Sequence, residues 1–396
     1  MTIELTEEQL MLQRSVRTFV EREVIPVADK IDREAKFPAE LVARMAELGL
    51  MGIAVPTEHG GAGMDFSALL IAIEEVARGC ASLGIIMSAH NALYCEPVLC
   101  LGTDEQKERW LVPFASGKKI GAFATTESHF GSDPMTMRTS AVRDGDEWVL
   151  NGSKQWITNG PQADSLLVSA WTDPSAGREG LSMFIVDSDS PGFSTGKPSG
   201  KMCSRAASNS EVYFQDCRVP KEALLGDPGD GMFLINWNLG HGGLWVSAHS
   251  IGIARAALEH AQSYAQERMH LNGRPIGAFQ AIQLMIADMH ISITAAKHLL
   301  QRAGQLKSRG EVFAIESGLA KVFCSEMVTQ ITHDALQIHG GNGLSSDYPL
   351  ERHYRDARGA KIYGATNELI RSLLGGMFLG LVQPGRTPAA LLKTKE

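Results

Sequence analysis

The sequence of 396 residues lacks several patterns that would identify a familiar binding chemistry. Its six cysteines form no Cys-x-x-Cys pair, which indicates free thiols in a reducing compartment and predicts no metal site. No apolar run reaches the length of a membrane span. No Gly-x-Gly-x-x-Gly follows a predicted strand, so a Rossmann nicotinamide site is not expected.

Positive charge is also scarce. The net charge is -8, and the lysines and arginines are spread along the chain without a basic run. This balance argues against nucleic acid as a partner. The N-terminal "MTIELTEEQL" is acidic and polar, unlike a signal or transit peptide, so we expect a cytoplasmic protein.

The N-terminal part of the sequence contains two helix signals. Thr6 and Gln9, and again Thr103 and Gln106, have the spacing of a capping box before an apolar pattern. These signals predict an N-terminal helical domain over residues 1–119.

The composition changes near residue 120 to short β-branched and aromatic segments separated by turn residues. Asn151-Gly152 indicates a hairpin turn within them. We predict an antiparallel β-barrel or sandwich over 120–228 and a four-helix bundle over 229–396. The expected fold class is therefore α+β, with a middle β domain between two helical domains.

Three segments, taken in order, resemble motifs of the acyl-CoA dehydrogenase flavoprotein family. They are "ATTESHFGSD" (124–133), "NGSKQWITNG" (151–160) and "QIHGGNGLSSDYPLERHYRDAR" (337–358). The resemblance covers about residues 3 to 382 and is strongest toward the short- and branched-chain members. It implies FAD as cofactor, a homotetramer or at least a dimer, and an electron-transfer flavoprotein as partner.

The residue chemistry of these segments suits a flavin. Threonine hydroxyls can hydrogen-bond the polar edge of an isoalloxazine ring while an aromatic side chain covers a face, and a diphosphate needs donors and close backbone approach. The residues predicted for the ring and the diphosphate are Thr126, Trp156, Thr158, Ser132, Arg268, Gly340 and Gly341. The resemblance adds Thr366 and Glu368 as flavin contacts, and it assigns Gln280, Gln337 and the glycine pair to an adenine-side contact from a neighbouring subunit.

The substrate that the resemblance implies is a small acyl thioester, on CoA or on a carrier protein. Family members take a proton from Cα with a glutamate, while the β-hydrogen leaves as hydride to the flavin. Substrate contacts are expected at Ser132, Tyr363, Gly364, Gly242 and Gly243.

The expected glutamate is missing from both positions where the family supplies it. "KIYGATNELIR" (361–371) has Gly364 there, and "NLGHGGLWVSAHSIG" (238–252) has Gly242. His241, Glu368 and His90 are the candidate replacement bases.

The glycines at 240–243 would destabilise a helix by about 1 kcal/mol each relative to alanine. Either the helix begins after Gly243, or a ligand approaches the glycines closely. We expect that a ligand approaches the glycines closely.

Four functions remain open on the sequence. The first is an acyl-thioester dehydrogenase with a relocated base or an unusually acidic substrate. The runner-up is a redox-neutral lyase of the desulfinase type, which requires a cation in the pocket. The third is a non-catalytic protein that binds flavin or acyl-CoA, and an oxygen-activating monooxygenase is the weakest.

Overall fold

The computed structural model describes residues 5–271 and 273–383. The N-terminal part is helical, and both predicted capping boxes are confirmed: Thr6 accepts from the N–H of Gln9, and Thr103 from that of Gln106 (both 3.2 Å). The helices are α1 (Glu7–Phe19), α2 (Ala28–Glu34), α3 (Ala39–Glu47), α4 (Phe66–Gly79), α5 (Ala81–His90), α6 (Glu96–Leu101), α7 (Asp104–Trp110) and α8 (Val112–Ala115).

Eight strands form the middle part of the chain. They are β1 (Gly121–Ala124), β2 (Ser140–Asp144), β3 (Glu147–Thr158), β4 (Ser165–Trp171), β5 (Leu181–Asp187), β6 (Phe193–Thr195), β7 (Asn209–Pro220) and β8 (Leu224–Leu225). Their order in the sheet is β6-β7-β3-β2-β4-β5-β8, and β1 pairs with β4. Most pairings are antiparallel as predicted, but β1 with β4 and β2 with β4 are parallel.

The predicted hairpin turn at Asn151-Gly152 is wrong. β3 continues through both residues, with a shift in its register against β7. The side chain of Asn151 donates to Asp216 (3.1 Å) and accepts from its backbone N–H (2.9 Å). A β-carbon at Gly152 would lie 2.5 Å from Oγ1 of Thr139. The Asn-Gly pair therefore marks a bulge at a close crossing.

The C-terminal part is again helical. Its helices are α9 (Gly231–Glu267), α10 (Gln280–Ser308), α11 (Ala314–His339), α12 (Leu350–Gly359) and α13 (Asn367–Phe378). α9 packs against α4, α10 and α11, so one helix joins the two helical regions into a single core. The β strands enclose a second core. The predicted α+β fold class is confirmed. None of the helices in the described ranges has both the length and the apolarity of a membrane span.

Buried ion pairs connect these parts. Glu75 in α4 accepts from Arg17 in α1 (2.9 Å) and from Arg255 in α9 (2.8 Å). In the β domain, the buried Lys154 on β3 donates to Glu127 in the segment after β1 (2.8 Å). A buried charge that lost its partner would be strongly destabilising, so these three pairs fix the elements that bear the candidate site residues.

Candidate active site

The glycine-rich segment before residue 244 lies inside a helix. α9 begins at Gly231 and continues through Gly240, Gly242 and Gly243, all without a break. The alternative in which the helix begins only after Gly243 is therefore wrong.

The two positions that lack a glutamate lie against each other. A β-carbon added to Gly242 would lie 3.6 Å from the α-carbon of Gly364, an ordinary van der Waals distance. At Gly364 the backbone has φ +65°, and a β-carbon would lie 2.9 Å from Cγ2 of Val246. Two separate segments thus meet at one point, which we call the glycine contact, and neither brings a carboxylate to it.

A second helix, rather than a ligand, approaches Gly243. A β-carbon there would lie 2.2 Å from Oγ and 2.8 Å from the backbone oxygen of Ser317 in α11. The hydroxyl of Ser317 donates to the carbonyl oxygen of Gly240 (2.5 Å). The expected ligand approach is therefore wrong for Gly243, because a side chain at this position would separate α9 from α11.

Tyr363 is held beside the glycine contact by two residues of α9. Its ring stacks on the indole of Trp245, with centroids 5.7 Å apart and planes 13° apart. Its hydroxyl donates to Nδ1 of His249 (3.2 Å), while Nε2 of His249 donates to the carbonyl oxygen of Ala81 (2.9 Å). Burial lowers the pKa of His249 to about 4, so the imidazole is neutral near pH 7. This neutral pair positions the ring and provides no charge.

His90 has no nitrogen available for a substrate proton. Nε2 donates to the carbonyl oxygen of Phe114 (3.1 Å), and Nδ1 accepts from the N–H of Gly121 (3.0 Å). The residue is fully buried, and burial lowers its pKa to about 4. These contacts favour a structural role over the predicted role as a replacement base.

His241 faces a buried ion pair. Its Nδ1 donates to the carbonyl oxygen of Trp237 (2.8 Å), and its Nε2 lies 3.4 Å from Oε1 of Glu96. Glu96 also pairs with Lys307, whose ammonium lies 5.2 Å from the ring centre of Phe66. Burial alone would raise the pKa of Glu96, but the charges of His241 and Lys307 lower it to about 2. A cavity of about 270 Å³, lined in part by Phe66, Glu96 and Lys307, adjoins this pair.

Glu368 lies in the exposed first turn of α13, which the hydroxyl of Thr366 caps. Lys321 donates to the carbonyl oxygen of Ala365 and to Oδ1 of Asn367 (both 2.7 Å) and so fixes the segment between the glycine contact and α13. No hydrogen bond or ion pair among the described residues brings Glu368 to the glycine contact.

Three residues predicted for the flavin ring share one surface of the β domain. The N–H of Gln155 donates to the carbonyl oxygen of Thr126 (2.8 Å), which places that threonine beside β3. The side chain of Asn209 donates to the carbonyl oxygen of Trp156 (2.9 Å) and to Oγ1 of Thr158 (3.0 Å). Trp156 has φ +62° and is 51% exposed. A strained aromatic residue that is held outward is characteristic of a binding surface.

The remaining predicted residues lie elsewhere. Ser132 is in an exposed loop after β1. One end of the helical bundle bears the others, which are Arg268, Gln280, Gln337, Gly340 and Gly341. Tyr264 connects this end, because it stacks on His339 (4.2 Å) and accepts from Asn342 (3.0 Å). No described hydrogen bond or ring contact joins this group to Trp156 within the chain.

Sequence reasoning missed two polar residues near the glycine contact. Asn238 and Trp245 are buried, and neither the amide of Asn238 nor the indole Nε1 of Trp245 has a hydrogen-bond partner among the described residues. Asn238 lies four residues before Gly242 and Trp245 three residues after it, which places all three on the same side of a helix. This spacing is visible in the sequence.

Comparison with known proteins identifies the family. Models of the N-terminal, middle and C-terminal domains of acyl-CoA dehydrogenase match residues 6–118, 122–217 and 229–377. The chain belongs to the acyl-CoA dehydrogenase family. The resemblance of the three sequence motifs is thereby confirmed.

Relatives in this family match almost the whole chain. The mitochondrial short-chain specific acyl-CoA dehydrogenase of Bos taurus is 45% identical over 96% of this chain and 92% of its own length. A 3-(aryl)acrylate reductase of Clostridium sporogenes is 41% identical over 94% of this chain and 99% of its own.

Solved structures of the family share the fold. Butyryl-CoA dehydrogenase from Megasphaera elsdenii has a TM-score of 0.94 and 36% identity over 96% of this chain and 100% of that chain. A chain of the structure described as the electron transferring flavoprotein of Acidaminococcus fermentans also has a TM-score of 0.94, at 40% identity over 96% of this chain and 100% of that chain. A glutaryl-CoA dehydrogenase from Mycobacterium smegmatis in complex with FADH2 has a TM-score of 0.90, at 29% identity over 95% of each chain.

Acyl-CoA dehydrogenases use FAD, and FAD is the cofactor of this chain. The described residues fit it. Trp156 offers an exposed aromatic face, and Asn209 links its backbone to the hydroxyl of Thr158. A β-carbon on Gly340 or Gly341 would meet no atom within 4 Å, so the backbone there is open to close approach by a phosphate group.

The packing at the glycines predicts different effects of alanine at neighbouring positions. Gly242→Ala should raise the free energy of unfolding by about 0.5–1 kcal/mol, because the position is helical and has room. Gly243→Ala should lower it by about 1–3 kcal/mol through the clash with Ser317. Urea unfolding monitored by circular dichroism measures both, and Gly240→Ala, near only the ring of Phe313, is the control. Equal effects at 242 and 243 would contradict the described packing.

The ion pair of Glu96 predicts a pH dependence of stability. Its pKa is lower in the folded chain, about 2, than the ordinary 4.5 of the unfolded chain, so its stabilisation is complete above about pH 4.5 and is lost as the pH falls toward 2. The loss of thermal stability in Glu96→Gln should therefore shrink as the pH falls through this range. Asp104→Asn, at a side chain that is 98% exposed, is the control. A loss that is constant between pH 7 and pH 3 would contradict the assigned pairing.

Proposed function

We propose that this chain is an FAD-dependent oxidoreductase that acts on the Cα–Cβ bond of a small acyl thioester, on CoA or a carrier protein, with a non-standard base. FAD, when bound, supplies the acceptor for the two electrons. A small acyl group is supported by the relatives named as short-chain and butyryl-CoA dehydrogenases. Redox chemistry at such a bond is also supported by the relative named as a 3-(aryl)acrylate reductase.

The glycine contact is the observation on which the proposal depends. Gly242 and Gly364 bring no acceptor for the α-proton, and the contacts of His90 and His241 lead to backbone groups and to Glu96. We therefore infer that the proton leaves to a group of the substrate itself, and that the substrate is acidic enough to react without a carboxylate.

The residues around the contact exclude water and orient the acyl group. Trp245, Val246 and Tyr363 surround the glycines with apolar surface. Such a site strengthens the hydrogen bonds made inside it, because little solvent competes with them.

The redox-neutral alternative is less well supported. Removal of an anionic substituent requires a cation beside the reacting carbons. The side chains nearest to β-carbons at Gly242 and Gly364 are the uncharged Trp245 and Val246, and the ammonium of Lys321 is already bound to the carbonyl oxygen of Ala365 and to Asn367. Gly243, where the family has an arginine by resemblance, packs against Ser317 instead.

We also propose a homotetramer and an electron-transfer flavoprotein as electron acceptor. Leu284 and Ile291, seven residues apart on one side of α10, are 60% and 66% exposed, as expected of a surface that another copy covers. The similarity to a chain of the electron transferring flavoprotein structure supports an electron-transfer flavoprotein as the electron acceptor.

Anaerobic titration of the FAD-loaded protein with short and branched acyl-CoAs tests the function. We expect at least one thioester to bleach the main visible flavin band, because oxidation of the substrate reduces the flavin. A spectrum that shifts without bleaching for every thioester would overturn the oxidation and favour the redox-neutral or the non-catalytic reading.

Restoring a carboxylate tests the role of the glycine contact separately. Gly242→Glu should accelerate flavin reduction by butyryl-CoA by about 10²–10⁴-fold, the usual effect of a general base, because Gly242 has room for a β-carbon and faces Gly364. Gly242→Gln is the matched control, with the same shape and no basic group. Stopped-flow rates that are equal in the two variants would show that the contact is not where the proton leaves.

A further inference from the structure

One side of α9 faces the segment that contains the glycine contact. Asn238, Gly242, Trp245 and His249 follow one another at intervals of four, three and four residues and so share this side. We call it the α9 stripe. Gly242 lies against Gly364, and both Trp245 and His249 contact Tyr363. Asn238 continues the stripe by one turn on the N-terminal side of Gly242.

The stripe contains hydrogen-bonding groups without partners. Asn238 is 3% exposed, and both Nδ2 and Oδ1 lack a partner among the described residues. Trp245 is 5% exposed, and its Nε1 lacks one as well. That nitrogen lies 3.9 Å from the position of a β-carbon at Gly242. Buried polar groups without partners cost about 1–3 kcal/mol each and are rare in native proteins, so these groups require an explanation.

We propose that Asn238 and Trp245 form a subsite for an uncharged hydrogen-bonding substituent on the acyl group. This inference rests on the proposed function and names its substrate class: a short acyl thioester bearing a hydroxyl, carbonyl or carboxamide. The amide of Asn238 can donate and accept, and the indole of Trp245 donates. Gly242 lies between them along the stripe, and a β-carbon there would meet only ordinary van der Waals contacts.

The surroundings of the stripe favour an uncharged substituent over a carboxylate. The ring of Tyr363 packs on Trp245, and Val246 is the side chain nearest to a β-carbon on Gly364; neither is charged. A carboxylate placed there would be a buried charge without a partner, which is strongly unfavourable. Three described charges lie near this part of the fold, and each already has partners: Glu96 and Lys307 pair with each other beside His241, and Lys321 donates to Ala365 and Asn367.

Calorimetric titration of the FAD-loaded protein with matched thioesters tests the subsite. 4-Hydroxybutyryl-CoA and pentanoyl-CoA have acyl groups of the same length, with a hydroxyl in place of a methyl group. We expect the hydroxyl compound to bind about 10-fold more tightly, since two net hydrogen bonds contribute about 1–3 kcal/mol. The carboxamide succinamoyl-CoA should likewise bind more tightly than the carboxylate succinyl-CoA. Equal or tighter binding of pentanoyl-CoA, or of succinyl-CoA, would overturn the proposal.

Substitutions in α9 test whether the α9 stripe causes the preference for the hydroxyl compound. Asn238→Leu should abolish the preference for the hydroxyl compound. It should also leave the thermal midpoint of the ligand-free protein unchanged or higher, because it removes a buried polar group without partners. Trp237→Phe is the matched control, because Trp237 also has a buried Nε1 without a described partner but makes an edge-to-face contact with His241, which is not part of the stripe. It should leave the preference unchanged. An Asn238→Leu protein that is less stable and keeps the preference would show that the amide is structural.

The subsite and the proposed function can be tested separately. If thioesters bleach the flavin but the hydroxyl and methyl compounds bind equally, the subsite is wrong and the proposed function stands. If no thioester binds, both are wrong.

Discussion

The close approach of α9 to its neighbours is the constraint on which the rest of the helical core depends. At Gly243 a side chain would enter α11, and at Gly252 a β-carbon would lie 2.3 Å from the carbonyl oxygen of Glu74 in α4. Because glycine occupies these crossings, one long helix can pack between the N-terminal and C-terminal helices. That position brings the side of α9 containing Gly242 against Gly364, and the candidate site follows from the packing.

The sequence allowed local features of the fold to be predicted better than distant ones. The capping boxes at Thr6 and Thr103 were predicted because their hydrogen bonds join residues three apart. The continuous strand at Asn151-Gly152 was wrongly predicted as a turn, because the contacts that hold it come from Asp216 and Thr139, which the local pattern does not reveal. The parallel pairing of β1 with β4 is likewise set by the path of the chain between strands.

The same division applies to the candidate site. Resemblance identified Gly242 and Gly364 as the positions without a base, but only the structure shows that they touch. The stripe formed by Asn238 and Trp245 can be read from helical spacing. The lack of hydrogen-bond partners for the polar atoms of Asn238 and Trp245 cannot be predicted from the sequence, because it depends on every element packed around them.

The free space at Gly242 has a consequence in genetic terms. Half of the glycine codons become glutamate codons by a single nucleotide change, and at this position the helix backbone accepts a side chain whose β-carbon meets only ordinary van der Waals contacts. Position 364 is less permissive, because its left-handed backbone and Val246 both oppose a side chain. The fold therefore leaves the chain one mutational step from a carboxylate at the glycine contact, so the packing at this position does not by itself require glycine.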